Sequence, residues 1–115
     1  MNKYINNVEA KKVVSLKDLV STKEDSVNII TFGESKNFVM KLLSLGKDAE
    51  VPTHTAIGEA LVSAIEGEGY LIIEGESFEL KSGESILIPD KAPHSLKTKE
   101  GKDSFKLLVI QVMTE

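Results

Sequence analysis

Two histidines are the residues of this chain whose chemistry stands out. The sequence contains only His54 and His94, and each follows a proline closely, near the start of an apolar run. Imidazole can bind a transition metal or exchange a proton near neutral pH. A metal would need a third ligand, because non-haem iron sites combine two histidines with one carboxylate and catalytic zinc has three protein ligands. The absence of cysteine excludes a thiolate zinc site, an iron–sulfur cluster and a cysteine nucleophile.

Short apolar runs, broken by glycine, proline or charged turns, predict the strands that position these residues. The runs are 27–32, 38–45, 60–66, 70–74, 77–80, 85–89, 94–98 and 105–113. Strands of this number and length favour a sandwich or a closed barrel. Gly75 predicts a tight hairpin between two of them, and Ser15 to Asp18 has the pattern of a capped helical turn, with a single turn or an edge strand left open. We expect an N-terminal extension over residues 1–26 and one barrel over residues 27–115.

The segments around the two histidines resemble the two signature motifs of the cupin superfamily. The first motif contains a glycine, then His-x-His, then a glutamate and a closing glycine. The second contains a glycine, then Pro-x-Gly, a histidine and an asparagine. The residues of this chain that correspond are Gly46, His54, Gly67, Gly83, Pro89 and His94.

This resemblance implies an all-β, cupin-type jelly-roll barrel, similar to a subgroup of small bacterial cupins. Metal-binding cupins usually carry three histidines and one glutamate, so the implied cofactor is a divalent transition metal: zinc, iron, manganese or nickel. Counted back from Gly67, His54 is the first histidine, and Ala56 and Ala60 occupy two other ligand positions. Counted forward from the first glycine, His54 is the second histidine and Glu59 is the glutamate. Both alignments stay open.

Strand alternation predicts a cavity and bears on the orientation of Glu59. If Ala60 faces the barrel interior, Val62 and Ala64 face it too, whereas Glu59 faces away unless a bulge intervenes near Gly58. Small interior side chains leave space, so we expect a ligand cavity, the alternative being that large side chains from facing strands fill it. The expected lining residues are Met40, Leu42, His54, Ala56, Ala60, Val62, Ala64 and His94.

Composition and charge argue against several classes of partner. The 14 basic residues, all lysine, and 18 acidic residues give a net charge of -4, which disfavours nucleic-acid binding. No run approaches the roughly 20 apolar residues of a membrane span. The polar start lacks the apolar core of a secretory signal, so we expect a cytoplasmic protein. Leu61 and Ile65 would be exposed on the outer face of one strand, and small cupins commonly pair, so we expect a homodimer.

The leading functional hypothesis is binding of a small, mainly apolar or weakly polar metabolite in the barrel, beside a two-histidine site at His54 and His94. The competing class is a metal-dependent cupin enzyme, an isomerase, epimerase or oxygenase, with the metal completed by Glu59, water or substrate. A third class is a regulatory or scaffold module with an inert, filled barrel. The sequence leaves open whether the chain is an enzyme.

Overall fold

The structure, a computed structural model, describes residues 3–113 and is built almost entirely of β-strands. The strands are β1 (Val27–Ser35), β2 (Phe38–Gly46), β3 (Glu50–His54), β4 (Glu59–Ile73), β5 (Glu76–Lys81), β6 (Ser85–Ile88), β7 (His94–Thr98) and β8 (Ser104–Val112). Within residues 3–113 the single helical element is the short 3-10 turn Leu16–Asp18. No helix in that range is long and apolar enough to cross a membrane.

β4 and β3 differ from the elements that the sequence predicts. The runs 60–66 and 70–74 form one strand of 15 residues, β4, because the sheet accommodates the glycines between them. A bulge between Ala64 and Glu66 shifts the pairing of β4 with β8, and Gly67 adopts a φ of 77° where a Cβ would collide with the Ser104 carbonyl. The sequence does not predict β3, since a proline such as Pro52 is more typical of a loop than of a strand. Proline is tolerated there because β3 lies at a sheet edge.

β4 runs through both sheets of the barrel, and every strand pair is antiparallel. The first sheet has the order β1-β2-β8-β4-β6 and the second the order β3-β7-β4-β5. Strands distant in the chain are thus neighbours in space, which is the jelly-roll arrangement and confirms the predicted all-β class. The β4–β5 hairpin turns at Glu74 and Gly75, with φ of 52° and 83°, as the sequence predicts.

Buried side chains form two clusters on opposite faces of the first sheet. Leu42 and Leu43, neighbours on β2, belong to different clusters, because successive side chains of a strand point to opposite faces. The interior cluster lies between the two sheets and includes Leu43, Leu45, Ala60, Val62, Ala64, Leu71, Ile88, Leu96, Phe105 and Leu107. The outer cluster contains Val20, Phe32 and Leu42, against which Met40, Ile65 and Leu108 pack.

The residues that precede β1 pack on the outer face of the barrel. Val20 is only 1% exposed. Lys106 of β8, itself buried, donates a hydrogen bond of 2.6 Å from Nζ to the carbonyl of Lys17 and lies 3.5 Å from the Glu66 carboxylate. This segment therefore covers part of the first sheet. The division into an extension over residues 1–26 and a barrel over residues 27–115 stays a prediction.

Leu61 and Ile65, expected together on an exposed outer face, have different surroundings. Ile65 packs against the outer cluster, whereas Leu61 is 42% exposed. Leu87 of β6 pairs with Leu61 on one side and Ile110 of β8 pairs with it on the other. Leu61, Leu87 and Ile110 form an outer apolar row on the part of the sheet that the N-terminal segment does not cover.

Candidate functional site

A cavity of about 450 Å³ lies between the inner faces of the two sheets, at one end of the barrel. Its apolar lining includes Leu43, Val62, Ile88, Leu96 and Val109. Its polar lining side chains are Lys41, His54, Thr55, His94 and Gln111. Phe105, Leu71 and Leu107 are fully buried in the interior cluster and do not line the cavity. The barrel interior is therefore packed in one part and hollow in the other.

The two histidines lie side by side on the wall formed by the second sheet. β3 and β7 pair in a register that sets His54 directly opposite His94. The ring centroids are 4.2 Å apart and the ring planes are tilted by 58°. Their burial differs, since His94 is 6% exposed and His54 is an exposed residue at the cavity wall. The two rings form a single imidazole pair.

Main-chain hydrogen bonds set the tautomer of both rings. Nδ1 of His54 lies 2.9 Å from the carbonyl oxygen of Pro52, and Nδ1 of His94 lies 2.9 Å from that of Ala92. Because a carbonyl oxygen can only accept, each Nδ1 must donate, and Nε2 of the neutral ring is left as an acceptor. Neither Nε2 has a protein partner within residues 3–113. Both histidines can therefore accept a hydrogen bond from a ligand.

Burial lowers the pKa of His94 from its ordinary value of 6.5. Desolvation of the protonated ring is the largest cause. The hydrogen bond to the Ala92 carbonyl opposes it by stabilising the protonated form, and positive charge on neighbouring His54 lowers the pKa further. His94 is therefore neutral at neutral pH and presents a lone pair to the cavity.

The donor set around the histidines does not match a metal centre. Within residues 3–113 no group of three or more His, Cys, Asp or Glu residues is placed to hold a metal ion. Glu59, the expected third ligand, is exposed and does not line the cavity, because its neighbour Ala60 faces inward. Gly58 has a φ of 90° but does not bring Glu59 to the cavity. Two imidazoles alone fall short of the usual zinc and iron ligand sets.

The other expected lining residues separate into three groups. Those that line the cavity are Ala56, Ala60 and Val62. Ala64, which is 2% exposed, packs in the interior cluster and does not line the cavity. Met40 and Leu42 pack in the outer cluster, on the other face of the sheet. The pairing of β2 with β1 and β8 directs Lys41 and Leu43 to the cavity instead, so the expectation for Met40 and Leu42 had the wrong strand face.

Lys41 and Gln111 are polar lining residues that the sequence analysis does not single out. For Lys41 a signal exists, since it is a charged residue inside the apolar run 38–45. Gln111 donates a hydrogen bond of 2.8 Å from Nε2 to the carbonyl of Ile57, and Asp90 accepts one of 2.7 Å from the N–H of Gly58. These bonds hold residues 55–58 at the cavity rim. They join segments far apart in the chain, so no local sequence pattern indicates them.

Comparison with known proteins assigns the family. A family model described as "Mannose-6-phosphate isomerase, cupin domain" matches residues 28–99. An uncharacterized protein from Aquifex aeolicus is 32% identical over 87 residues, which cover 73% of this chain and 71% of that protein.

Two solved structures have the same fold over nearly the whole chain. A conserved protein of unknown function from Streptococcus pyogenes is similar with a TM-score of 0.90 and 29% identity, covering 99% of this chain and 97% of that one. A cupin superfamily protein from Desulfitobacterium hafniense has a TM-score of 0.89 over 97% of this chain and 100% of its own, and at 19% identity it shows the fold alone. The chain therefore belongs to the cupin family whose model is described as the mannose-6-phosphate isomerase cupin domain.

Proposed function

We propose that this chain is a small-molecule-binding cupin domain whose ligand lies in the barrel cavity against His54 and His94. The observation that carries this proposal is the cavity, about 450 Å³ of space with mainly apolar walls. Ligand pockets typically measure roughly 300 to 1,000 Å³ and combine apolar walls with a few polar groups. A metabolite of modest size with an apolar body fits this description.

The imidazole pair would orient the ligand by accepting hydrogen bonds. Each Nδ1 donates to a main-chain carbonyl, so the free Nε2 atoms of His54 and His94 favour a ligand that carries a hydroxyl or N–H group. A ligand without such a donor would cover the Nε2 of His94 and leave it without a partner, which costs binding energy. The same lone pair could take up a proton from a bound ligand.

Two substitutions on neighbouring positions of β4 test this proposal. Ala60→Phe fills the cavity, whereas Leu61→Phe places the same side chain on the outer face. We expect a small-molecule fragment library, followed by ligand-observed NMR, to yield binders to the wild type that Leu61→Phe retains and Ala60→Phe loses. Thermal unfolding checks that both variants fold. Fragments that bind all three proteins equally, or a library without binders, would refute the proposal.

Two alternatives have less support. A metal-dependent isomerase, epimerase or oxygenase needs a third ligand that residues 3–113 do not provide beside the histidines. Elemental analysis of untagged protein tests it, since a stoichiometric metal that His94→Gln loses would favour the enzyme. An inert regulatory or scaffold module needs a filled barrel, against which the cavity argues.

The expected homodimer becomes a proposal about the outer apolar row. Leu61 is 42% and Leu87 52% exposed, and the two side chains are cross-strand neighbours. Burying this row against a second copy would remove apolar surface from water. We expect analytical ultracentrifugation to find a dimer for the wild type and a monomer for Leu61→Lys. A monomeric wild type would contradict the proposal.

The cytoplasmic location and the absence of nucleic-acid and membrane partners stay predictions.

A further inference from the structure

We infer that the cavity takes a small organic carboxylate, with the ammonium group of Lys41 as the anchor for its negative charge. This inference rests on the proposed function, since it assigns the ligand class of the same cavity. It goes beyond that function because neither the apolar walls nor the imidazole pair calls for an anion.

Lys41 is a cation on the inner face of the first sheet. Its side chain lines the cavity together with Leu43, and its residue is half-buried. Thr31 on β1 and Val109 on β8 are its cross-strand neighbours, and neither carries charge. Within residues 3–113 Lys41 has neither a salt bridge nor a side-chain hydrogen bond. By contrast, the half-buried Lys99 lies 2.9 Å from Glu79.

Among residues 3–113, no acidic side chain lines the cavity to neutralise Lys41. The lining that the structure describes contains one lysine and two histidines, in a chain whose net charge is -4. Asp90 does not line the cavity and forms no ion pair with Lys41, and its Oδ1 accepts a hydrogen bond from the N–H of Gly58. Glu59 is exposed outside the lining. A carboxylate entering the cavity would therefore supply the counter-charge that the lining lacks.

The positions of the polar groups also restrict the shape of this carboxylate. Lys41 belongs to the first sheet, and the imidazole pair belongs to the second sheet, so they occupy facing walls of one cavity. A carboxylate held by Lys41 would place its apolar body against Leu43 and Val109. A hydroxyl or N–H group elsewhere on the ligand could then donate to an Nε2 of the pair. Hydrogen bonds to charged groups are about twice as strong as those between neutral groups. The contact between Lys41 and the carboxylate should therefore contribute most to the choice between ligands.

The test compares two probes of the same shape that differ in charge, 4-hydroxybenzoate and 4-hydroxybenzamide, hereafter benzoate and benzamide. Both carry a hydroxyl group that can donate to the imidazole pair. The dissociation constants are measured by NMR titration at constant pH and ionic strength, with the methyl groups of Ala60 and Val62 reporting on the cavity. For the wild type we expect benzoate to bind about ten-fold more tightly than benzamide, which corresponds to about 1.4 kcal/mol. Lys41→Met keeps an unbranched side chain and removes the charge, so the preference should fall to about one.

Lys81→Met is the matched control. Lys81 is an exposed lysine of β5 that does not line the cavity, so its substitution should leave the preference for benzoate unchanged. A wild type without the preference, or a preference that Lys41→Met retains, would overturn the inference. Benzamide binding at the Ala60 and Val62 methyl groups would still support the proposed function in that case. If neither probe shifts those methyl groups, both the inference and the proposed function fail.

Discussion

Mild acidification should destabilise the fold through His94. Burial lowers the pKa of this histidine in the folded protein from its ordinary value of 6.5. The unfolded chain therefore binds a proton at a higher pH than the folded protein does. The stability contribution is fully present above the ordinary pKa and is lost as the pH falls toward the folded pKa, because protons then favour the unfolded state.

The size of this loss of stability follows from the single proton that the unfolded chain binds at His94 and the folded protein does not. Where the unfolded chain is protonated and the folded protein is not, the free energy of unfolding falls by about 1.4 kcal/mol per pH unit. At about pH 5.5, one unit below the ordinary pKa, the loss can reach at most ~1.4 kcal/mol, if folded His94 stays neutral. This is measurable against the ~5 to 15 kcal/mol that stabilise a typical domain.

Urea unfolding at several values between about pH 7.5 and about pH 5.5 measures the effect, a range that lies above the titration of ordinary carboxylates. We expect the loss in the wild type and a smaller loss in His94→Gln. His54→Gln is the matched control. It should lose nearly as much stability at low pH as the wild type, because desolvation, the largest cause of the lowered pKa of His94, remains. A wild type whose stability is constant over this range, or an equal loss in His94→Gln, would refute the reasoning.

Three further predictions concern packing and backbone geometry. Phe105→Ala removes a fully buried ring and should cost about 3 to 5 kcal/mol in urea unfolding, whereas Val13→Ala, at a residue 100% exposed, should stay within ~0.5 kcal/mol. Gly58→Ala meets the main chain of β8 at a φ of 90°, and Gly75→Ala has open space at a φ of 83°. Both substitutions introduce a backbone strain of about 1 to 2 kcal/mol, but only Gly58→Ala adds a steric clash. We therefore expect Gly58→Ala to have a lower melting temperature than Gly75→Ala. Equal melting temperatures would contradict the close approach of β8 to Gly58. Lys106→Met removes the hydrogen bond to the N-terminal segment, so limited proteolysis within residues 3–26 should become faster, and an unchanged rate would count against this role.

Local signals account for most of the strands and turns. β7 has the predicted bounds, and β1 and β6 begin where the apolar runs begin. The hairpin at Glu74 and Gly75 follows from the freedom of glycine at positive φ, which is a local property. β3 and the continuity of β4 could not be predicted in this way. Both depend on neighbours far along the chain, since β3 is a strand through its pairing with β7 and Gly67 fits closely against Ser104 of β8.

The sequence alone indicated the all-β class through its short apolar runs and the cupin family through its resemblance to the two motifs. It also predicted the small residues Ala60 and Val62 at the cavity, because alternation along one strand is a local pattern. Only the tertiary structure decided which face of β2 is interior. Its register with β8 turns Lys41 inward and Met40 outward, and a shift of one residue would exchange them. The tertiary structure also set the two imidazoles 4.2 Å apart, since that distance depends on how β3 pairs with β7. Within the described part of the chain, it places no third metal ligand beside them.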